Sequence, residues 1–173
     1  MDTFSPDRSG PAAFRSAGPF NRVHHIGVSV QDLDRSMAFY RDLFGVEPLF
    51  VNDMRGPGLS RGAGVAGADL RFCMIPLQNV MLELIEWRTP APVKAEPKGP
   101  SLIGAIHIAF EVDDIAALHA ELKERGIAFV AEPHRFGPED AAPAVEGATF
   151  AYFADPDGVG LEIYQKRGPA GRF

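Results

Sequence analysis

The 173-residue chain predicts an α+β fold of two tandem βαβββ modules, each a cupped mixed β-sheet with its helix on the outside. Three observations carry this. First, "VHHIGVSVQDLDRSMAFYRDLFG" (23–45) and "AIHIAFEVDDIAALHAELKERG" (105–126) follow one pattern: a His, a small residue two places on, a Val, an acidic turn and an amphipathic run that ends in Gly. Second, His25 and His107, Asp32 and Asp114, Leu33 and Ile115, Gly45 and Gly126, and "LEL" (82–84) and "LEI" (161–163) all match at an offset of about 80 residues, the signature of an internal repeat. Third, strand-like alternation flanks each helical run.

The elements follow in order. Residues 23–30 and 102–112 read as the opening strands, each ending in an acidic turn. Asp32 or Asp34 can cap the first helix, and Asp113 or Asp114 the second. The spacing of Leu33, Met37, Tyr40 and Phe44 predicts a helix over 33–44, and that of Ile115, Leu118 and Leu122 one over 115–125. Gly45 and Gly126 are the C-terminal stops. Strands are expected at 46–50, 70–75 and 80–87, and again at 127–130, 149–153 and 159–164, with "ADPDGVG" (154–160) as a tight turn. The modules then span 22–87 and 102–166. A flexible N-terminal arm (1–21), a Pro- and charge-rich linker (88–101) and a tail (167–173) complete the chain.

Composition narrows the function. A net charge of −6 and the lack of a basic stripe argue against nucleic acid. No apolar run approaches the roughly 18 residues that a membrane span needs. Cys73, the single cysteine, allows no intrachain disulfide and suits a reducing cytoplasm; it is expected to pack as a small hydrophobe. The glycine-rich "RGPGLSRGAGVAG" (55–67) has no Gly-Lys-Ser/Thr and reads as a mobile flap, not a phosphate loop. Arg55, Arg61 and Arg71, in or near it, are candidate anion contacts. "PHRFGPEDAAPAVEG" (133–147) is a second candidate lid. His119 and His134 are expected at the surface.

Alternation places Ile26, Val28 and Val30 on one face of the first strand and His25, Gly27 and Ser29 on the other. Ile108 and Phe110 likewise oppose His107 and Ala109. The last strand of each module sets Glu83 against Leu82 and Leu84, and Glu162 against Leu161 and Ile163. Four strands thus each put one His or Glu on the face away from the helix. His24 points the other way and is a poor ligand. One such residue is usually structural, but four at equivalent positions are not, because burying carboxylates together without a cation is costly.

These stretches, with "LELIE" (82–86), "HIAFEVDDI" (107–115) and "DPDGVGLEI" (155–163), resemble the vicinal oxygen chelate superfamily of glyoxalase-type lyases, methylmalonyl-CoA epimerases, extradiol dioxygenases and bleomycin-type resistance proteins. The resemblance implies paired modules around one divalent metal ion per site (Ni, Co, Zn, Mn or Fe) bound by His25, Glu83, His107 and Glu162. Two His and two Glu resemble the lyases and epimerases most. They imply proton abstraction next to a carbonyl of a chelating small molecule, through an enediolate.

Extradiol dioxygenases are similar at His25, His107 and Glu162 but use no ligand at the place of Glu83, whereas Tyr152 resembles a dioxygenase tyrosine; ring cleavage is the alternative. Simple antibiotic binding ranks third. Ser29 and Trp87 stand where the glutathione-dependent lyases carry Arg and Asn, so substrate contacts are expected there and glutathione is not. Glu162, between Gly160 and Tyr164, is expected to be less crowded than Glu83, between Met81 and Ile85. That makes Glu162 the base, with Glu83 as ligand and partner base. A cytoplasmic homodimer without nucleic-acid or membrane partners is expected.

Overall fold

The computed structural model describes residues 22–93 and 99–168. The arm (1–21), the middle of the linker and the last five residues lie outside this range. The chain divides into two compact units, the boundary falling after Val93.

In the first unit β1 (His25–Val30) leads to α1 (Leu33–Phe44), β2 (Phe50–Arg55), the short α2 (Pro57–Ala63), β3 (Asp69–Pro76) and β4 (Met81–Thr89). In the second, β5 (His107–Glu111) leads to α3 (Ile115–Glu124), β6 (His134–Arg135), β7 (Thr149–Ala154) and β8 (Gly160–Gln165). The sheets are β1-β4-β3-β2 and β5-β8-β7-β6. In each, the first strand pairs parallel with the last and the other pairs are antiparallel. The two units therefore share one βαβββ topology.

The repeat extends to individual hydrogen bonds. Asp32 accepts from the Arg35 N–H at 2.9 Å, and Asp114 from the Ala117 N–H at 2.9 Å. Each N-cap of this kind contributes about 1 kcal/mol. The next orphan donor is also met twice: Leu33 N–H donates to Glu86 at 3.1 Å, and Ile115 N–H to Gln165 at 3.0 Å. A side chain near the end of the last strand thus latches the helix start in both units. Gly45 stops α1 in the left-handed conformation (φ 67°), where a side chain would be strained.

Leu33 and Tyr40 on α1 pack in a core with Ile75, Leu82 and Leu84. Ile115 and Leu122 on α3 are buried, as are Phe153, Leu161 and Ile163. Each large apolar side chain so buried contributes about 1.5–3 kcal/mol. The helix-facing and His-facing sides of β1 separate as alternation requires: Val28 and Val30 are buried, and His25, Gly27 and Ser29 are not. Cys73 is fully buried, and burial pushes its thiol up to about 11.

Four expectations are corrected. The second strand lies at Phe50–Arg55, not at 46–50; it is exposed along its whole length, so it offers no alternation to read. The segment expected as a flap contains α2, with Pro57 in its first turn and Gly64 as its left-handed stop. Residues 127–130 form only a single bridge, Phe129 to Phe153, and the ladder passes instead to His134–Arg135 beyond Pro133. His119 is not at the surface: it shares the buried stripe of α3 with Ile115 and Leu122 and packs on the Phe129 ring, 4.3 Å between centroids. No helix among the described residues is long and apolar enough to cross a membrane.

Candidate functional site

The two units present equivalent His–Glu pairs. In the first, Gly27 on β1 is the register partner of Glu83 on β4, and His25 stands two residues earlier on the same face. In the second, Ala109 partners Glu162, and His107 stands two residues earlier. His25 Nε2 lies 3.3 Å from Glu83 Oε2, and His107 Nε2 lies 3.0 Å from Glu162 Oε2. The small residue between each pair gives the carboxylate its place. A methyl group at Gly27 would stand 3.4 Å from Glu83 Oε2, so a larger side chain there would displace it. Gly160 has a similar duty, since a Cβ there would come within 3.3 Å of His107 Cβ and the Ile106 carbonyl.

These separations suit a metal. Donors bound at about 2.0–2.2 Å and at right angles lie about 3 Å apart, and imidazole with carboxylate is a donor set for divalent transition ions. Among the described residues no group of three or more His, Cys, Asp or Glu is posed to hold an ion. Each unit on its own offers two donors, one His and one Glu. His24 supplies what a ligating His25 needs behind it: the two Nδ1 atoms are 2.8 Å apart.

The carboxylates differ in setting. The Glu162 side chain is 8% exposed and that of Glu83 17% exposed, so Glu162 is the more enclosed, against the expectation from sequence neighbours. The reason is cross-strand. Tyr152 on β7 is the register partner of Glu162, hydrogen-bonds it, and packs edge-on against His107 at 5.3 Å. Burial pushes the Glu162 carboxyl up, opposed by His107 and the Tyr152 hydrogen bond. Burial and the Glu162 charge push the Tyr152 hydroxyl up in turn.

Around Glu83 the face is apolar. Met74 is its register partner, and Leu70, Phe72 and Met74 form a buried cluster against which Leu59, Met81, Ile85 and Trp87 pack. Trp87 thus shares a face with Glu83, and so does exposed Ser29, which partners Ile85. Arg71 does not: it sits on the helix side of β3 and pairs with Asp34 of α1 at 2.9 Å, and this bond holds the Asp34 carboxyl low. Arg71, expected as an anion or substrate contact, here ties the sheet to the helix through Asp34. Arg61 lies exposed on α2, and Arg55 ends β2 opposite Asp69.

Sequence reasoning missed an aromatic row on the Glu162 face. From Tyr152 it runs to Phe150 (5.2 Å between centroids) and then to Phe136 (4.9 Å, stacked) and His134 (5.6 Å). Phe150 and Tyr152 alternate in step with Glu162 and Tyr164, a signal the sequence did contain. His134 joins them only through the unforeseen β6.

Comparison with known proteins is consistent with this geometry. Residues 22–163 match the model of the Glyoxalase/Bleomycin resistance protein/Dioxygenase superfamily. The chain is 31% identical over 148 residues to a 2-epi-5-epi-valiolone epimerase of an Actinomyces species, covering 82% of this chain and 77% of that one. It is 28% identical over 153 residues to the mitochondrial methylmalonyl-CoA epimerase of Bos taurus, covering 86% and 78%. A glyoxalase family protein of Bacillus cereus superposes with a TM-score of 0.72 at 18% identity, over 88% of this chain and 99% of that one, a likeness of fold.

Proposed function

The chain belongs to the Glyoxalase/Bleomycin resistance protein/Dioxygenase superfamily, and on that footing we propose that it is a metal-dependent isomerase of the epimerase type, inverting a carbon next to a carbonyl in a small chelating substrate. The observation that carries this reading is the pair of His–Glu couples in identical register, with donors 3.3 and 3.0 Å apart. Two relatives named as epimerases support the reaction class over a lyase.

In this reading His25, Glu83, His107 and Glu162 hold one divalent ion. Bound there, it would act as a Lewis acid toward two neighbouring substrate oxygens. Glu162 takes the proton from the carbon beside the carbonyl, and Tyr152, donating a hydrogen bond to that carboxylate, keeps it aimed. Glu83, the partner base of this reading, gives its proton to that carbon in exchange, and the centre inverts. The apolar cluster from Leu70 to Trp87 keeps water from the Glu83 side of the site. The assembly in this reading is a homodimer, and the compartment is the cytoplasm, consistent with the free, buried thiol of Cys73.

Deuterium wash-in tests the reaction class. Metal-loaded protein in D₂O should exchange the proton beside the carbonyl in a panel of 2-oxo and acyl-thioester compounds and scramble that centre. Ring opening of a catechol by the Fe(II) protein in air, with no exchange in any panel member, would replace this reading with a dioxygenase. The contact of Tyr152 with both His107 and Glu162 favours that alternative.

A further inference from the structure

At the far end of the aromatic row stands another His–carboxylate couple, one with no part in the mechanism above. His134 Nε2 lies 3.0 Å from both oxygens of Asp140, at the end of a single 3-10 turn (Pro138–Asp140). The Gly137 N–H also donates to Asp140, at 2.8 Å. That hydrogen bond and His134 hold the Asp140 carboxyl low. An ionised carboxylate only accepts, so the hydrogen of this couple sits on His134 Nε2. With Nε2 donating, a ring that carries a single hydrogen keeps a lone pair on Nδ1. The His134 side chain is 46% exposed, so a ligand can reach it.

Register places this couple relative to Glu162. His134 partners Phe150, which partners Tyr164, so His134 shares the face of Glu162. It is two strands across and two residues along, roughly 11–12 Å between Cα atoms at ordinary strand spacings. Phe150 and Tyr152 lie between. An aromatic stretch of about that length, its rings inclined to one another, separates a chelating end from an acceptor end.

We propose that His134 is the specificity-determining contact of this site, accepting a hydrogen bond from a hydroxyl at the far end of a cyclic substrate whose body lies on Phe150 and Tyr152. The inference rests on the reading that His107 and Glu162 hold the chelating end. A carboxylate in that position would face the Nδ1 lone pair and the charge of Asp140, so the couple selects for a hydroxyl and against an acid. Asp140 acts through His134 by fixing its tautomer.

Hydroxamates, which chelate through two neighbouring oxygens, serve as probes. Binding to the Co(II)-loaded protein is read from the visible cobalt spectrum. Benzohydroxamate should bind at least about 10-fold tighter than acetohydroxamate through burial of its ring. 4-(Hydroxymethyl)benzohydroxamate should gain a further factor of about 3–10, the worth of one hydrogen bond. 4-Carboxybenzohydroxamate should gain nothing over benzohydroxamate. His134→Phe keeps a ring beside Phe136 and Phe150 but removes the lone pair; it should erase the hydroxymethyl gain and leave the benzo/aceto ratio intact. Phe150→Ala should shrink that ratio, with Phe150→Leu as the substitute if the alanine variant does not fold.

A hydroxymethyl gain that is absent, or that survives in His134→Phe, overturns the proposal, as does tighter binding of the carboxylate. Equal binding of acetohydroxamate and benzohydroxamate overturns the row as a substrate surface while the metal reading stands. If no hydroxamate alters the cobalt spectrum, the metal reading fails and this inference with it.

Discussion

His24 and His25 meet through their Nδ1 atoms at 2.8 Å. One ring must donate and the other accept. When His25 turns its Nε2 lone pair toward a cation, its hydrogen sits on Nδ1, and His24 is placed to accept it. Alternation along the strand marks His24 as a poor ligand; the contact gives it a supporting role instead. His24→Ala is expected to weaken divalent-metal binding by about 10-fold or more, the usual cost of losing such a partner. Competition against a chromophoric chelator measures it. Unchanged affinity would remove His24 from the site.

In the proposed reading both His residues are needed for one ion. His25→Ala and His107→Ala should each lower metal content from about one ion per chain to a trace, because two donors hold a divalent ion far more weakly than four. Elemental analysis after reconstitution and desalting gives the count. Loss of half the metal in each variant would mean that the pairs bind separately.

Glu162→Gln keeps one oxygen for a metal and the hydrogen bond from Tyr152, but it cannot hold the abstracted proton. Exchange beside the carbonyl, normalised to bound metal, should fall at least about 10²-fold. Glu83→Gln should lose more metal and less exchange per ion. Wild-type exchange in Glu162→Gln would move the base to Glu83.

Cys73 predicts an alkaline weakness. Its thiol, pushed up to about 11 by burial, keeps its proton in the folded chain over a range where the unfolded chain loses it. Its contribution is intact below about pH 8.5 and drains away as pH rises toward about 11, by roughly 2–3 kcal/mol at most. Urea midpoints of the wild type should therefore fall more steeply above pH 8.5 than those of Cys73→Ala. Parallel slopes would show that the thiol is not responsible.

Much of the fold was legible because the repeat supplied every important feature twice. Asp32 and Asp114, Leu33 and Ile115, and Gly45 and Gly126 each bound a helix in the structure. The His and Glu positions were readable from period-two alternation alone, and the register of each first strand with its last explains why they meet. What was not legible came from partners distant in sequence. Glu162 was expected to be uncrowded from Gly160 and Tyr164 on its own strand, but its real neighbour, Tyr152, lies on the next one. Arg71 read as a candidate anion contact, and the carboxylate that holds it, Asp34, lies far back in the chain. His119 was misjudged because its polarity was weighed above its place in the stripe of Ile115 and Leu122. The second strand of each unit is exposed along its whole length, so it had no buried face to set a pattern.

The strand order sets a timetable for the nascent chain. In each unit the last strand made lies inside the sheet and pairs with the first. On a ribosome adding roughly 5–20 residues per second, β1 has no partner until β4 emerges, and α1 has no acceptor for the Leu33 N–H until Glu86 arrives. The first half must therefore wait, its opening strand unpaired, for almost its whole length to be translated. Every strand pairing among the described residues stays within its own unit, so the first half can then close its sheet while the second is still being synthesised.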